Sequence, residues 1–195
     1  METAPAQPVA ATDPLPARPR RVLVTGCTGS GKSTLAVAVA RRLGVPYVEL
    51  DALFHGPGWV PRAEFVDDVT AFAATDAWVS EWQYSAVREL LLARADLLIW
   101  LDLSRWQVAR QLVPRTVRRR LRRVELWNGN VEPPLWTVLT DRDHLWRWGW
   151  RTFPRTGERV DRVLSAPDPP VVVRLRSRRE VRAWLDGPLA AVAAG

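Results

Sequence analysis

Short apolar runs alternate with longer amphipathic stretches along most of this chain. Residues 21–25, Arg-Val-Leu-Val-Thr, are apolar and β-branched, as in a strand buried on both faces of a parallel sheet. Residues 33–43 carry Ala, Val and Leu at helical spacing and stop at Gly44, with Arg41 and Arg42 in the last turn, where a helix dipole favours cations. A second strand is predicted over 47–50, ending at Asp51, after which Pro61 opens a helix to about residue 75. A third strand over 77–80 ends at Glu81, and a helix over 85–95 follows with Val87, Leu90 and Leu91 on one side. Residues 97–101, Leu-Leu-Ile-Trp-Leu, are the clearest buried strand and end at Asp102. Ser104 caps a long Arg-rich helix that bends or restarts at Pro114, and Pro133 starts a helical stretch to about residue 150. The last strand is 171–175, and Ser177 with Glu180 forms a capping box on the final helix. The alternation predicts an α/β fold, a parallel five-stranded sheet with helices on both faces.

A chain of 195 residues, 47% apolar, is long enough for one domain, or one domain with an inserted lid. No apolar run approaches the length of a membrane span. Residues 1–19 are rich in Ala and Pro and lack the basic start and continuous apolar stretch of a signal peptide. They predict a disordered tail, with the folded domain over 20–190. A single cysteine excludes an internal disulfide and suits a reducing cytoplasm, the compartment expected here. The net charge of +7 comes largely from Arg, concentrated over 105–123 with more at 142–162 and 174–182. Such a cluster suits either nucleic-acid phosphates or, in a nucleotide enzyme, a bound polyphosphate, and charge alone does not choose. Eleven Trp are present, and Trp146, Trp148 and Trp150 alternate along one segment. They fit a stacking platform for bases, or an aromatic surface packed under a lid or at a dimer contact, which is the favoured reading.

One short segment changes the picture. Gly26-Cys27-Thr28-Gly29-Ser30-Gly31-Lys32-Ser33 matches the phosphate-loop pattern G-x-x-x-x-G-K-[ST] at every fixed position. At average residue usage that match arises by chance in roughly one chain per hundred of this length. Lys32 is the sole lysine among 28 Lys and Arg. A compact ammonium can reach between terminal phosphates where a planar guanidinium would have to reshape the loop. Strand, Gly-rich turn and helix are the context the mechanism needs. Backbone N–H groups from Gly26 through Thr34 point at the phosphates of ATP, and Ser33 can ligate Mg²⁺. Cys27 is read as a small residue facing the loop interior.

In an open α/β sheet, ligands bind beyond the carboxyl ends of the strands. Asp51 is placed on the acceptor side, where an anion can accept from a hydroxyl or an amine. Glu81 ends the strand expected beside the loop, where a carboxylate can hold Mg²⁺ through water or take a proton from an attacking hydroxyl. Asp102 is a second candidate for the metal side. Arg118, Arg119 and Arg122, in the Arg-rich segment from Pro114 to Arg123, are candidates for a lid that stabilises the charge of a transferred phosphoryl group. His55 and His144 are far apart and show no metal-ligand spacing.

Gly26 to Leu35, Leu50-Asp51-Ala52-Leu53 with Gly58-Trp59, Trp78 to Tyr84, Ala95 to Asp102, and Arg118 to Asn130 with Glu132 together resemble the small P-loop kinases of the adenylate-kinase and shikimate-kinase type. More closely, they resemble a bacterial group called adenylate-kinase-like or topology-modulation proteins. The resemblance implies a P-loop NTPase fold with strand order 2-3-1-4-5. It places ATP at the loop, a helical lid over about 114–160 between the fourth and fifth strands, and a phosphate acceptor near Asp51. Many members carry an acid followed by Gly and Asn where this chain has Glu81-Trp82-Gln83, so an indole is expected to fill space beside the acceptor. The function expected is ATP- and Mg²⁺-dependent phosphoryl transfer to a small molecule or nucleotide. A nucleic-acid-associated NTPase, or a nucleotide-binding regulatory module with little turnover, is the alternative.

Overall fold

In a computed structural model of the chain, residues 6–104, 106–108, 110 and 156–194 are described. Five strands form one parallel sheet: β1 (Arg21–Gly26), β2 (Tyr47–Val48), β3 (Trp78–Glu81), β4 (Leu97–Leu101) and β5 (Val171–Leu175). Their order is β2-β3-β1-β4-β5, with β1 in the centre. Because successive side chains point to opposite faces, each apolar strand supplies two cores. Val22, Val24, Ile99, Leu101, Val173 and Leu175 lie in one. There they meet Leu35, Ala36, Val39 and Leu43 of α1 (Lys32–Leu43). Leu23, Leu98, Trp100 and Val172 lie in the other, against α2 (Leu50–Phe54), α3 (Phe65–Ala73) and α4 (Arg88–Leu92). Helices therefore cover both faces.

The fold class and strand order agree with the sequence reading, while several local readings do not. β2 ends at Val48, and Asp51 sits in the first turn of α2 rather than at a strand tip. Pro61 does not open a helix. It bridges back to His55 across a tight loop, and α3 begins four residues later at Phe65. Helix α5, residues 156–164, has no counterpart in the sequence reading, although Val160, Val163 and Leu164 fall at i, i+3 and i+4 on one face. All three are buried on the sheet beside Trp100. The lid boundary near 160 thus falls inside a helix that packs on the sheet, and the rest of that lid lies outside the described residues.

Ser177 accepts from Glu180 N–H at the start of α6 (Arg178–Asp186), the forward half of the capping box expected, while the Glu180 carboxylate accepts from the Arg176 N–H, one residue before the N-cap. A last helix, α7 (Pro188–Ala193), turns back so that Leu189 reaches the α1 core. The expected disordered tail does not hold for residues 6–19. Val9 N–H donates to Val172 O at 2.7 Å, Arg174 N–H donates to Val9 O at 3.1 Å, and Ala11 and Leu15 are buried in the core. Few but well-placed apolar residues are enough to hold an extended strap of low charge against a sheet edge.

Candidate active site at the strand tips

β1 runs straight into the phosphate loop. A Cβ on Gly26 would lie 2.7 Å from Ser30 Oγ and 3.0 Å from the Leu101 carbonyl, so only glycine passes between β4 and the loop. Gly31, the residue before α1, has φ 96°, the left-handed conformation that lets the chain enter the helix from this direction. No side chain caps α1 and no acid lies in its first turn, which leaves the positive end of the helix dipole open to an anion. Lys32 Nζ donates to Cys27 O at 3.3 Å, folding the ammonium over the loop. Ser30 Oγ is buried without a hydrogen-bond partner. Cys27 faces inward as expected, packed with Leu103 and Val108, and burial pushes its thiol pKa up.

Glu81 pairs in register with Val24, two residues before Gly26, so β3 brings its carboxylate to the foot of the loop. It is 1% exposed. The Tyr47 hydroxyl donates to Oε1 at 2.9 Å, while Oε2 is buried with no partner. Burial raises the Glu81 pKa; hydrogen bonds from the Ser33 and Tyr47 hydroxyls and the nearby Lys32 charge oppose that rise, and Asp51 adds to it. A buried, unpartnered carboxylate oxygen beside the Ser33 hydroxyl suits a hard divalent cation held mainly by phosphate and water. Among the described residues no group of three or more His, Cys, Asp or Glu side chains could hold a metal by itself. Ser33 and Glu81 are thus brought together as the sequence suggested.

Asp51, in the first turn of α2, lies close enough to Glu81 to raise its pKa. Gln83 Nε2 and the Tyr84 hydroxyl both donate to Asp51 Oδ1, at 2.7 and 2.5 Å. The Tyr84 ring packs against Phe54 at 4.3 Å and Phe65 at 5.2 Å, and its hydroxyl comes within 3.3 Å of His55 Nε2. His55 in turn meets the edge of Trp59 in the 55–61 loop, which Gly56 N–H closes by donating to Val60 O. Arg62, the nearest cation along the chain, is committed to Asp68 at 2.9 Å and to the Leu53 carbonyl. Tyr47, His55, Gln83 and Tyr84 had no role in the sequence reading. Gln83 and Tyr84 could have been found from their place directly after Glu81; nothing local marks Tyr47.

Two expectations change. Asp102 receives two hydrogen bonds from Arg174 across the ends of β4 and β5, at 2.9 and 2.5 Å, and Arg174 lies 4.5 Å over the Trp100 ring. It is a structural partner of a cation and not a free acid for the metal side. Trp82 is 5% exposed, packed in the core with its Nε1 donating to Arg88 O, so the indole does not stand in acceptor space. The candidate lid residues Arg118, Arg119 and Arg122 lie outside the described residues.

No family model matches the chain, and no curated protein matches it. Solved structures do. A gluconokinase from Sinorhizobium meliloti is 20% identical, covering 91% of this chain and 95% of that one, with a TM-score of 0.51. A sugar kinase from Janibacter is 21% identical over 91% of this chain and 98% of its own, with a TM-score of 0.47. Shikimate kinase from Bacteroides thetaiotaomicron is 16% identical over 86% and 95%, also at 0.47. The fold is that of the small P-loop kinases.

Proposed function

We propose that the protein is an ATP- and Mg²⁺-dependent phosphotransferase acting on a hydroxyl-bearing small molecule or nucleotide. The observation that carries this reading is the placement of two carboxylates in different surroundings on either side of one loop. Glu81 is buried against Ser33, and Asp51 has Oδ1 held by Gln83 and Tyr84, with no hydrogen bond to Oδ2 among the described residues; the acceptor is proposed to sit on that side. The loop amides, the α1 N-terminus and Lys32 hold the β- and γ-phosphates. Ser33 and Glu81 are the residues that would hold Mg²⁺, which when bound neutralises charge on the phosphate oxygens.

Asp51 Oδ2 takes the proton of the acceptor hydroxyl while the acceptor's own oxygen bonds to the γ-phosphorus, and the bond from that phosphorus to the β–γ bridging oxygen breaks to release ADP. Arg118, Arg119 and Arg122 are proposed to close over the transferred group, with the lid between β4 and β5. An adenylate-kinase-like role, with a nucleoside monophosphate as acceptor, is one case within this reading. A small hydroxy acid or sugar is another, in line with the likeness to a gluconokinase. No helix among the described residues is long and apolar enough to cross a membrane.

The test is ADP release from ATP and Mg²⁺ across nucleoside monophosphates, nucleosides, sugars and hydroxy acids. Acceptor-dependent release by the wild type, abolished in Lys32→Ala at unchanged circular dichroism, is expected. Equal release with and without every acceptor would sink the reading.

A further inference from the structure

Asp51 is held unusually firmly on one side. Gln83 Nε2 and the Tyr84 hydroxyl both donate to Oδ1, and among the described residues none donates to Oδ2. The donor that makes the shorter bond is itself locked. Tyr84 has φ 58°, a left-handed conformation that is strained for a non-glycine residue. Its ring is wedged between Phe54 and Phe65, which fixes where the hydroxyl can point. Strain of this kind persists only where the surroundings over-determine it, and here they aim one hydroxyl at one carboxylate oxygen. Burial also holds the phenol pKa well above its ordinary value, so the hydroxyl stays a neutral donor at any working pH.

From this arrangement we infer that Tyr84 and Gln83 are positioning residues for phosphoryl transfer: they clamp Oδ1 of Asp51 so that Oδ2 alone is presented to the acceptor hydroxyl. This rests on the phosphotransferase reading, since it assigns the proton-accepting role to Asp51. Charge-assisted bonds to Oδ1 fix both the carboxylate plane and its rotamer. A proton acceptor must lie within hydrogen-bond reach of the reacting hydroxyl, and a small misplacement is enough to lose rate. His55 Nε2, 3.3 Å from the Tyr84 oxygen, donates to that oxygen whenever it carries the ring proton, which leaves the phenolic proton directed at Asp51. None of the three residues belongs to the phosphate loop over 26–33, so the clamp is expected to act on the chemical step more than on nucleotide affinity.

The experiment is a double-mutant cycle on the wild-type enzyme with the best acceptor from the panel. Tyr84→Phe keeps the ring and removes only the donor. It is expected to lower kcat by on the order of 10–10² with KM for ATP within about twofold. Asp51→Ala is expected to lower kcat by on the order of 10² or more. The double variant should be no slower than Asp51→Ala alone, because without the carboxylate there is nothing left to position. Gln83→Leu, which removes the other donor outside the strained position, should show the same non-additivity. A wild-type kcat in Tyr84→Phe, or losses that multiply in the double variant, would overturn the clamp while leaving phosphoryl transfer intact. Absence of transfer from ATP to every acceptor by the wild type would overturn the phosphotransferase reading, and the clamp with it.

Discussion

Burial works against the charge on Glu81, and the hydroxyls of Tyr47 and Ser33 oppose that only in part. Its folded pKa is raised above the unfolded value. The folded state therefore holds the proton more tightly, and this contribution to stability is complete below the ordinary carboxylate range and lost as pH rises through the folded pKa. Glu81→Gln removes the ionisation while keeping an oxygen for Tyr47. In nucleotide-free protein at pH 8 it should melt a few degrees above wild type, a shift of about 1 kcal/mol for a chain of this size. Thermal melts should show the difference gone near pH 4. Turnover should move the opposite way, with kcat down by on the order of 10², because an amide neither holds a divalent cation nor takes a proton. Equal melting at both pH values would mean that the buried carboxylate carries no ionisation strain.

At the scale of elements, the tips of β4 and β5 are joined by the Asp102–Arg174 pair, with Trp100 beneath the guanidinium. Asp102→Asn leaves a half-buried Arg without its anion and should cost roughly 1–2 kcal/mol by denaturant unfolding, with kcat far less affected than in Glu81→Gln. The reverse order of kcat losses would return the metal-side role to Asp102. This pair also shows where the sequence is legible. The phosphate loop could be read because its function requires adjacent residues, and β1, β4 and β5 because their apolar runs are nearly continuous. Glu81 followed from its place at a strand end. Arg174 as the partner of Asp102 could not be read, since 72 residues separate the two and only strand register brings them together. The same holds for Tyr47 on Glu81. Asp51 was found for its chemistry although its element was misjudged, because a two-residue strand running into a short helix leaves almost no periodic signal.

Over the whole molecule, the sheet is covered on both faces by helices and on its β5 side by the strap of residues 6–19. Composition alone pointed to disorder for this strap, because Pro and Ala without charge carry no period, and only the folded sheet supplies the partner that orders it. Removing residues 1–15 should lower stability by about 2–4 kcal/mol through the lost burial of Ala11 and Leu15. A denaturation midpoint matching the full chain would show that the strap adds nothing. Val9 also occupies backbone groups on the outer edge of Val-Val-Val-Arg-Leu, the most β-prone run in the chain. An open strand edge of that composition is a template for pairing with another chain. With that edge uncovered, the shortened protein should form larger species at rising concentration, seen by light scattering before it loses its helical signal, while the full chain stays clear.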